Sequence, residues 1–238
     1  MDTVIELSGV VAVLGQFPAL AGIDLAVQRG EIVLLQGPNG AGKTSLLRVC
    51  AGLLPIERGT GHVLGIDLAT NREAIRSRVG LLGHANGLYL DLTVMQNMQF
   101  WASTVGATKS EVDSAMATMR IDGRLARVKA SQLSAGQRRR CALASLIVRR
   151  AEIWLLDEPT SSMDRQTEQK LIQALSQNLR PTDTLVMATH KHELLALADR
   201  LIVVANHEIV LDGPKDKVLE RLQNPNPVMP IRQTAKSA

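Results

Sequence analysis

Residues 37–44 read Gly-Pro-Asn-Gly-Ala-Gly-Lys-Thr, the spacing G-x-x-x-x-G-K-[ST]. Its glycines, Gly37, Gly40 and Gly42, let successive backbone N–H groups turn into one concavity. Lys43 and Thr44 add a cation and a hydroxyl at the same place. Such a cradle suits a polyphosphate, with Lys43 reaching the β- and γ-phosphates and Thr44 setting its hydroxyl on Mg²⁺. The flanks support this reading. The apolar run Ile32-Val33-Leu34-Leu35 leads in, and Ser45-Leu46-Leu47-Arg48-Val49 leads out with helical character. A helix opening there turns its partly positive N-terminus toward the phosphates.

Three further signals lie downstream. Asp157-Glu158 comes directly after the apolar run Ile153-Trp154-Leu155-Leu156, and His190 comes just after Leu185-Val186-Met187-Ala188. Continuous apolar runs are expected of parallel strands buried on both faces, and ligands bind beyond the carboxyl ends of such strands. At that edge Asp157 would hold Mg²⁺, directly or through water. Glu158 would orient and polarise an attacking water, and His190 would hydrogen-bond the γ-phosphate. The third signal is Leu133-Ser134-Ala135-Gly136-Gln137. Ser134 and Gln137, three apart, form a capping box that opens a helix. That helix runs into Arg138-Arg139-Arg140, and three cations in a first turn oppose the helix dipole. An anionic neighbour, either acids or bound phosphate, is expected to relieve them.

These residues need elements to carry them. Residues 3–35 alternate short apolar stretches with turn signals and read as a small β-rich entry. A helix over 44–52 ends at Gly52, and residues 53–84 read as short strands and a polar helix, closing on the strand Val79-Gly80-Leu81-Leu82. Over residues 88–130 Met, Ala, Leu and Val recur at helical spacing, which predicts a mostly helical insertion. Helix and strand then alternate to a hairpin of 201–204 with 208–211, and 221–238 reads as a proline-rich, polar tail.

Composition narrows the class. A chain of 238 residues with 45% hydrophobic residues suits one α/β domain with a subdomain. No apolar stretch approaches the roughly 18–20 residues that span a bilayer. The start MDTVIELSG has an early acid and no basic n-region, so no signal peptide is expected. Cys50 and Cys141 lack metal-ligand spacing, and free buried thiols in a reducing compartment are expected. A net charge of +4 is modest, and two Trp, one Tyr and two Phe make no base-stacking platform, so nucleic acid is not an expected partner.

Taken in order, the phosphate loop, L-S-x-G-Q, strand-Asp-Glu and strand-end His resemble the ATP-binding-cassette ATPases over residues 3 to about 220. The resemblance implies an α/β fold: a phosphate-loop, RecA-like, mostly parallel core with a small antiparallel β subdomain and an inserted helical subdomain. It implies ATP and Mg²⁺ as ligands. The cradle would comprise Gly37, Pro38, Asn39, Gly40, Ala41, Gly42, Lys43, Thr44 and Ser45. Two such domains would pack head to tail, and Ser134, Gly136 and Gln137 of one would face the γ-phosphate held by the other. Asp164, in Ser161-Ser162-Met163-Asp164, would help link the two sites. The chain departs from the family pattern at three places. Ala135 replaces a glycine. His84 stands where the family's Mg²⁺-sensing glutamine usually lies, and Leu14 stands where an aromatic usually stacks on adenine.

Gly83-His84-Ala85-Asn86-Gly87 and L-S-A-G-Q together are similar to the ATPase subunits of cytochrome c maturation haem exporters. Residues 160–168 and 194–200 are similar to ATPase domains of type I protein-secretion exporters, which are fused to membrane helices. The resemblance leads to the expectation of an ATP-hydrolysing subunit, cytoplasmic and peripheral on the inner face of the cell membrane, that drives integral-membrane transporter subunits. A soluble assembly ATPase of the iron–sulfur scaffold type, or the ATPase of another ABC exporter, is the alternative.

Overall fold

The computed structural model describes residues 2–223 except His84, Ser162 and Asp164. The expectations for His84 and Asp164, and for the tail beyond 223, therefore lie outside the described residues.

Two sheets form the frame. The first is antiparallel, with strands β1 (Thr3–Leu14), β2 (Phe17–Gln28), β4 (Arg58–Val63) and β5 (Ile66–Asp67) in the order β2-β1-β4-β5. The second comprises β3 (Ile32–Gln36), β6 (Val79–Leu82), β7 (Ile153–Asp157), β8 (Thr184–Ala188), β9 (Arg200–Ala205) and β10 (Glu208–Pro214), in the order β10-β9-β3-β8-β7-β6. All its pairings are parallel except β9 with β10, an antiparallel hairpin at one edge.

The apolar runs form this sheet because both of its faces are covered. Leu34, Trp154, Leu156, Leu185 and Met187 point into one core. Their neighbours Val33, Leu35, Ile153, Leu155 and Val186 point into the other, as the period-two pleat requires. The first face carries helices α3 (Val94–Val105), α4 (Lys109–Thr118), α5 (Ala135–Val148) and α6 (Arg165–Asn178). The second carries α1 (Lys43–Cys50) and the antiparallel sheet. A short helix, α2 (Leu68–Asn71), and a final one, α7 (Lys215–Gln223), complete the set, so residues 221–223 are helical rather than part of a tail. Cys50 on α1 and Cys141 on α5 are both buried and free, one in each core.

Register sets the functional edge. Leu82 pairs with Leu156, Asp157 with Ala188, and Leu35 with the same Ala188. The carboxyl ends of β3, β6, β7 and β8 therefore finish nearly level, and every loop leaving them starts at one edge.

Local chemistry sets the loops and helix starts. Thr93, Thr108 and Ser134 each close a capping box, with Gln96, Glu111 and Gln137 respectively. Asn97, fully buried on α3, accepts from the Tyr89 N–H at 2.9 Å and donates to the carbonyls of Tyr89 and Thr93, both at 3.0 Å. One amide thus holds the loop between β6 and α3 by its main chain.

The phosphate loop is the tightest place. Gly37 has φ +144°, and a Cβ there would collide with the Val204 carbonyl oxygen of β9. Gly40 has φ +79° and open space around the same position. Gly37→Ala is expected to destabilise the protein by about 3 kcal/mol, since backbone must move. Gly40→Ala should cost only ~1 kcal/mol of left-handed strain. Urea unfolding midpoints compare the two, and equal shifts would contradict this account of the loop.

Candidate functional site

A cleft of about 560 Å³ opens at the edge where the parallel strands end. Residues 39–45 line one wall, Asp157, Glu158 and His190 another, and Leu14, Phe17 and His207 the far end. Gly37 and Pro38 stand behind the wall, where their carbonyls accept hydrogen bonds from the Lys43 ammonium at 2.6 and 2.9 Å. Lys43 is 8% exposed. Burial pulls its pKa down, while the charges of Glu158 and Asp157 oppose the shift. The lysine is thereby aimed as a fixed cation instead of sweeping through solvent.

Thr44, on the first turn of α1, donates from Oγ1 to Asp157 Oδ2 at 2.7 Å. A hydroxyl and a carboxylate meeting at the lip of a phosphate cradle are hard oxygen donors of the kind Mg²⁺ takes, usually with waters and substrate phosphates completing its shell. Among the described residues no group of three or more His, Cys, Asp or Glu forms a self-sufficient metal cage.

Glu158 follows β7 with φ +47°, a left-handed conformation that non-glycine residues seldom adopt. Its N–H donates to the Ala188 carbonyl at 2.8 Å, binding the turn to the end of β8. Its carboxylate has two neighbours. Thr189 Oγ1 donates to Oε2 at 3.1 Å, and His190 Nε2 lies 3.8 Å from Oε1. A carboxylate steered by a buried hydroxyl, beside a half-exposed imidazole and across from a lysine, is arranged to take a proton from a water in the cleft.

The structure thus brings Lys43, Thr44, Asp157, Glu158 and His190 onto one cleft, with Asn39, Gly40, Ala41, Gly42 and Ser45. Ser134, Gly136 and Gln137 are not among the residues lining it. Ser134 caps α5, accepting from the Gln137 N–H at 3.2 Å, while its own N–H donates to Gln137 Oε1 at 2.8 Å. The hydrogen bonds of these arginines run largely to main-chain carbonyls, and the expected acids stand near Arg139, where the charges of Asp157 and Glu158 oppose the lowering of its pKa by burial. Arg138 donates to the Ser131 carbonyl, Arg140 to those of Met119 and Arg120, and Arg139 to main chain at the ends of β6 and β7. Carbonyl oxygens, which are partial negative charges, offset the dipole.

Sequence reasoning missed two residues of the site. Thr189 ends an apolar run, and a hydroxyl at a strand's carboxyl end was its only signal. His207, in the turn between β9 and β10, has its Nδ1 3.2 Å from the Ala19 carbonyl, so Nδ1 carries the proton. Its backbone N–H donates to Ala41 and its carbonyl accepts from Ala21, which fastens the phosphate loop to β2. Leu14 and Phe17 are both exposed at the open end of the cleft.

A sequence profile of the family described as ABC transporter matches residues 20–161. The cytochrome c biogenesis ATP-binding export protein CcmA of Xanthomonas campestris pv. campestris is 41% identical over 175 residues, 73% of this chain and 80% of that protein. The protein of the same name from Nitrobacter winogradskyi is 38% identical over 183 residues, covering 77% and 90%. Among solved structures, a dimeric bacterial ABC transporter cassette superposes with a TM-score of 0.81 at 25% identity, covering 89% of this chain and 98% of the other. A cassette in its ADP conformation gives 0.80 at 19% identity, covering 94% and 96%.

Removing the buried ammonium tests the cradle directly. Lys43→Ala is expected to weaken nucleoside triphosphate binding by roughly ten- to a hundredfold, the worth of a charge-assisted hydrogen bond. Calorimetric titration reads it, and unchanged affinity would place the phosphates elsewhere.

Proposed function

The chain belongs to the ABC transporter family, and from that premise we propose that it is the ATPase subunit of a membrane exporter serving haem delivery for cytochrome c assembly. It is an ATP hydrolase with a cassette fold, and the transport cargo is the proposed part. The observation that carries the reading is the convergence of Lys43, Thr44, Asp157, Glu158 and His190 on one cleft at a level sheet edge. The similarity to the cytochrome c biogenesis export proteins supports the cargo.

In this reading the loop amides and Lys43 hold the β- and γ-phosphates. Thr44 and Asp157 would hold Mg²⁺, which when bound neutralises phosphate charge. Glu158 takes a proton from water as the water oxygen attacks the γ-phosphorus. The bond from that phosphorus to the bridging oxygen breaks, and ADP leaves with its electron pair. Thr189 keeps the Glu158 carboxylate turned toward the cleft, and His190 hydrogen-bonds the γ-phosphate.

A second copy completes the site. Ser134, Gly136 and Gln137 do not line their own chain's cleft, which suits a role at a partner's nucleotide in a head-to-tail homodimer. ATP then holds the dimer shut and hydrolysis releases it. Ala135 adds one methyl to that contact between retained neighbours. Residues 3–220 act as the ATP-binding domain, and the helical segment of about 88–130 faces the membrane subunits. There Tyr89 and Phe100 are 48% and 39% exposed and stack edge to face at 4.8 Å. Phe100 stacks in turn on Trp101, over which Arg149 sits at 4.6 Å. An aromatic patch with an adjacent cation is the composition of an interface centre. No helix among the described residues is long and apolar enough to cross a membrane. Attachment from the cytoplasmic face is thus assigned to the partner subunits.

Glu158→Gln is expected to keep ATP affinity while slowing hydrolysis by about a hundredfold or more. It should also elute as an ATP-dependent dimer in size-exclusion chromatography. Near-normal turnover would remove Glu158 from the role of base. The cargo is tested by gentle-detergent affinity capture from native cells with mass spectrometry. Recovery of polytopic subunits of a haem exporter is the expected result. Reproducible recovery of soluble partners alone would instead identify an assembly ATPase.

A further inference from the structure

Arg139 is 3% exposed, and its guanidinium is spent entirely inside the protein. Nε donates to the Pro159 carbonyl at 3.2 Å. One terminal nitrogen donates to the Gly83 carbonyl at 2.5 Å and to Asn86 Oδ1 at 3.3 Å. The other donates to the Glu158 carbonyl at 2.8 Å and to that of Asp157. A guanidinium has five N–H donors in a rigid plane, and here they meet five acceptors drawn from three consecutive residues at the end of β7 and from the loop after β6. Among the described residues no carboxylate side chain is one of its hydrogen-bond partners. Burial pushes its pKa down to about 10, with Asp157 and Glu158 opposing the shift, so it remains a cation at neutral pH.

The acceptors matter because of where they lie. Glu158 sits at φ +47°, and left-handed strain of this kind persists only where the surroundings over-determine it. Three hydrogen bonds hold the main chain of that strained residue: its N–H donates to the Ala188 carbonyl, and its own carbonyl accepts from the Ser161 N–H at 3.1 Å and from Arg139 at 2.8 Å. Arg139 itself lies on the first turns of α5, one helical turn beyond Ala135 and Gly136.

We propose that Arg139 is a positioning residue for ATP hydrolysis. It holds Glu158 in its left-handed conformation and makes that conformation depend on the seat of helix α5 and on Gly83 and Asn86. The inference rests on the proposed role of Glu158 as base. Its consequence is that one helix addresses two sites: its capped N-terminus serves the partner's nucleotide, and Arg139 sets the acid of its own. A shift of α5 as the dimer closes therefore reaches Glu158 through a single side chain, with Gly83 and Asn86 moving in concert.

The test compares Arg139→Gln with wild type in kcat, KM and calorimetric ATP affinity. Expected is a fall in kcat of roughly ten- to a hundredfold with KM and affinity changed by no more than about twofold. The phosphate cradle is untouched, so a merely structural role would not split the two constants. Unchanged kcat, or parallel losses in kcat and affinity, would overturn the proposal. Because a vacated guanidinium site can unfold a protein, Asn86→Leu is the second variant, since it removes one acceptor at the partly exposed end of the network. A severalfold fall in kcat at constant KM supports the proposal, and no change in kcat overturns it. Wild-type protein without ATPase activity would overturn the proposed function and this inference together, whereas active wild type with fully active variants overturns the inference alone.

Discussion

Parallel strands all point their last carbonyls the same way, and a loop that leaves one of them inherits that direction. With β3, β6, β7 and β8 in register to within a residue, four loops distant in sequence are forced to begin at one edge. The phosphate cradle, the Asp157–Glu158 pair and His190 share a cleft for this reason. The register is held by two apolar cores that grip alternate residues of the same strands. A slip by one position would turn each core residue to the wrong face, so the same burial that stabilises the fold fixes the geometry of the site.

The edge itself is a costly place. Strand ends leave carbonyls without ladder partners, and Glu158 adds backbone strain. The chain resolves this with cations used as donors to main chain. Lys43 caps Gly37 and Pro38, and Arg139 caps the turns after β6 and β7. Burial pulls the pKa of each cation down, and the nearby charges of Asp157 and Glu158 oppose that shift. Both cations are fixed in place by the chain's own main chain, the kind of preorganisation that phosphoryl transfer needs.

Much of this was legible along the chain. The phosphate loop, the apolar runs and the capping boxes are short-range patterns, and the physics that sets them acts over four or five residues. The Asp157–Glu158 and His190 positions were legible because each directly follows, or nearly follows, a buried strand. The features that could not be read depend on contacts made across the fold. Three arginines in one turn called for anions nearby, and Asp157 and Glu158 answer for Arg139, but the sequence did not show that carbonyls from beyond α4 and from the ends of β6 and β7 would take their hydrogen bonds. Thr189 reaches the site only through Glu158, and His207 joins the cleft only through Ala19 and Ala41, neighbours far away in sequence. The end of α7 extended past a composition-based boundary because Val218 is buried against the first core.

The two cysteines have a consequence of a different kind. Cys50 and Cys141 lie on opposite faces of the central sheet, and burial pushes both thiols up to about 12. At neutral pH only about one in 10⁵ of each is thiolate, so electrophilic dyes pass them by in the native state. Each becomes reactive only when its own helix leaves the sheet. The native chain therefore carries two internal clocks, one per core, and a pulse of alkylating reagent followed by peptide mapping would time the opening of each half separately.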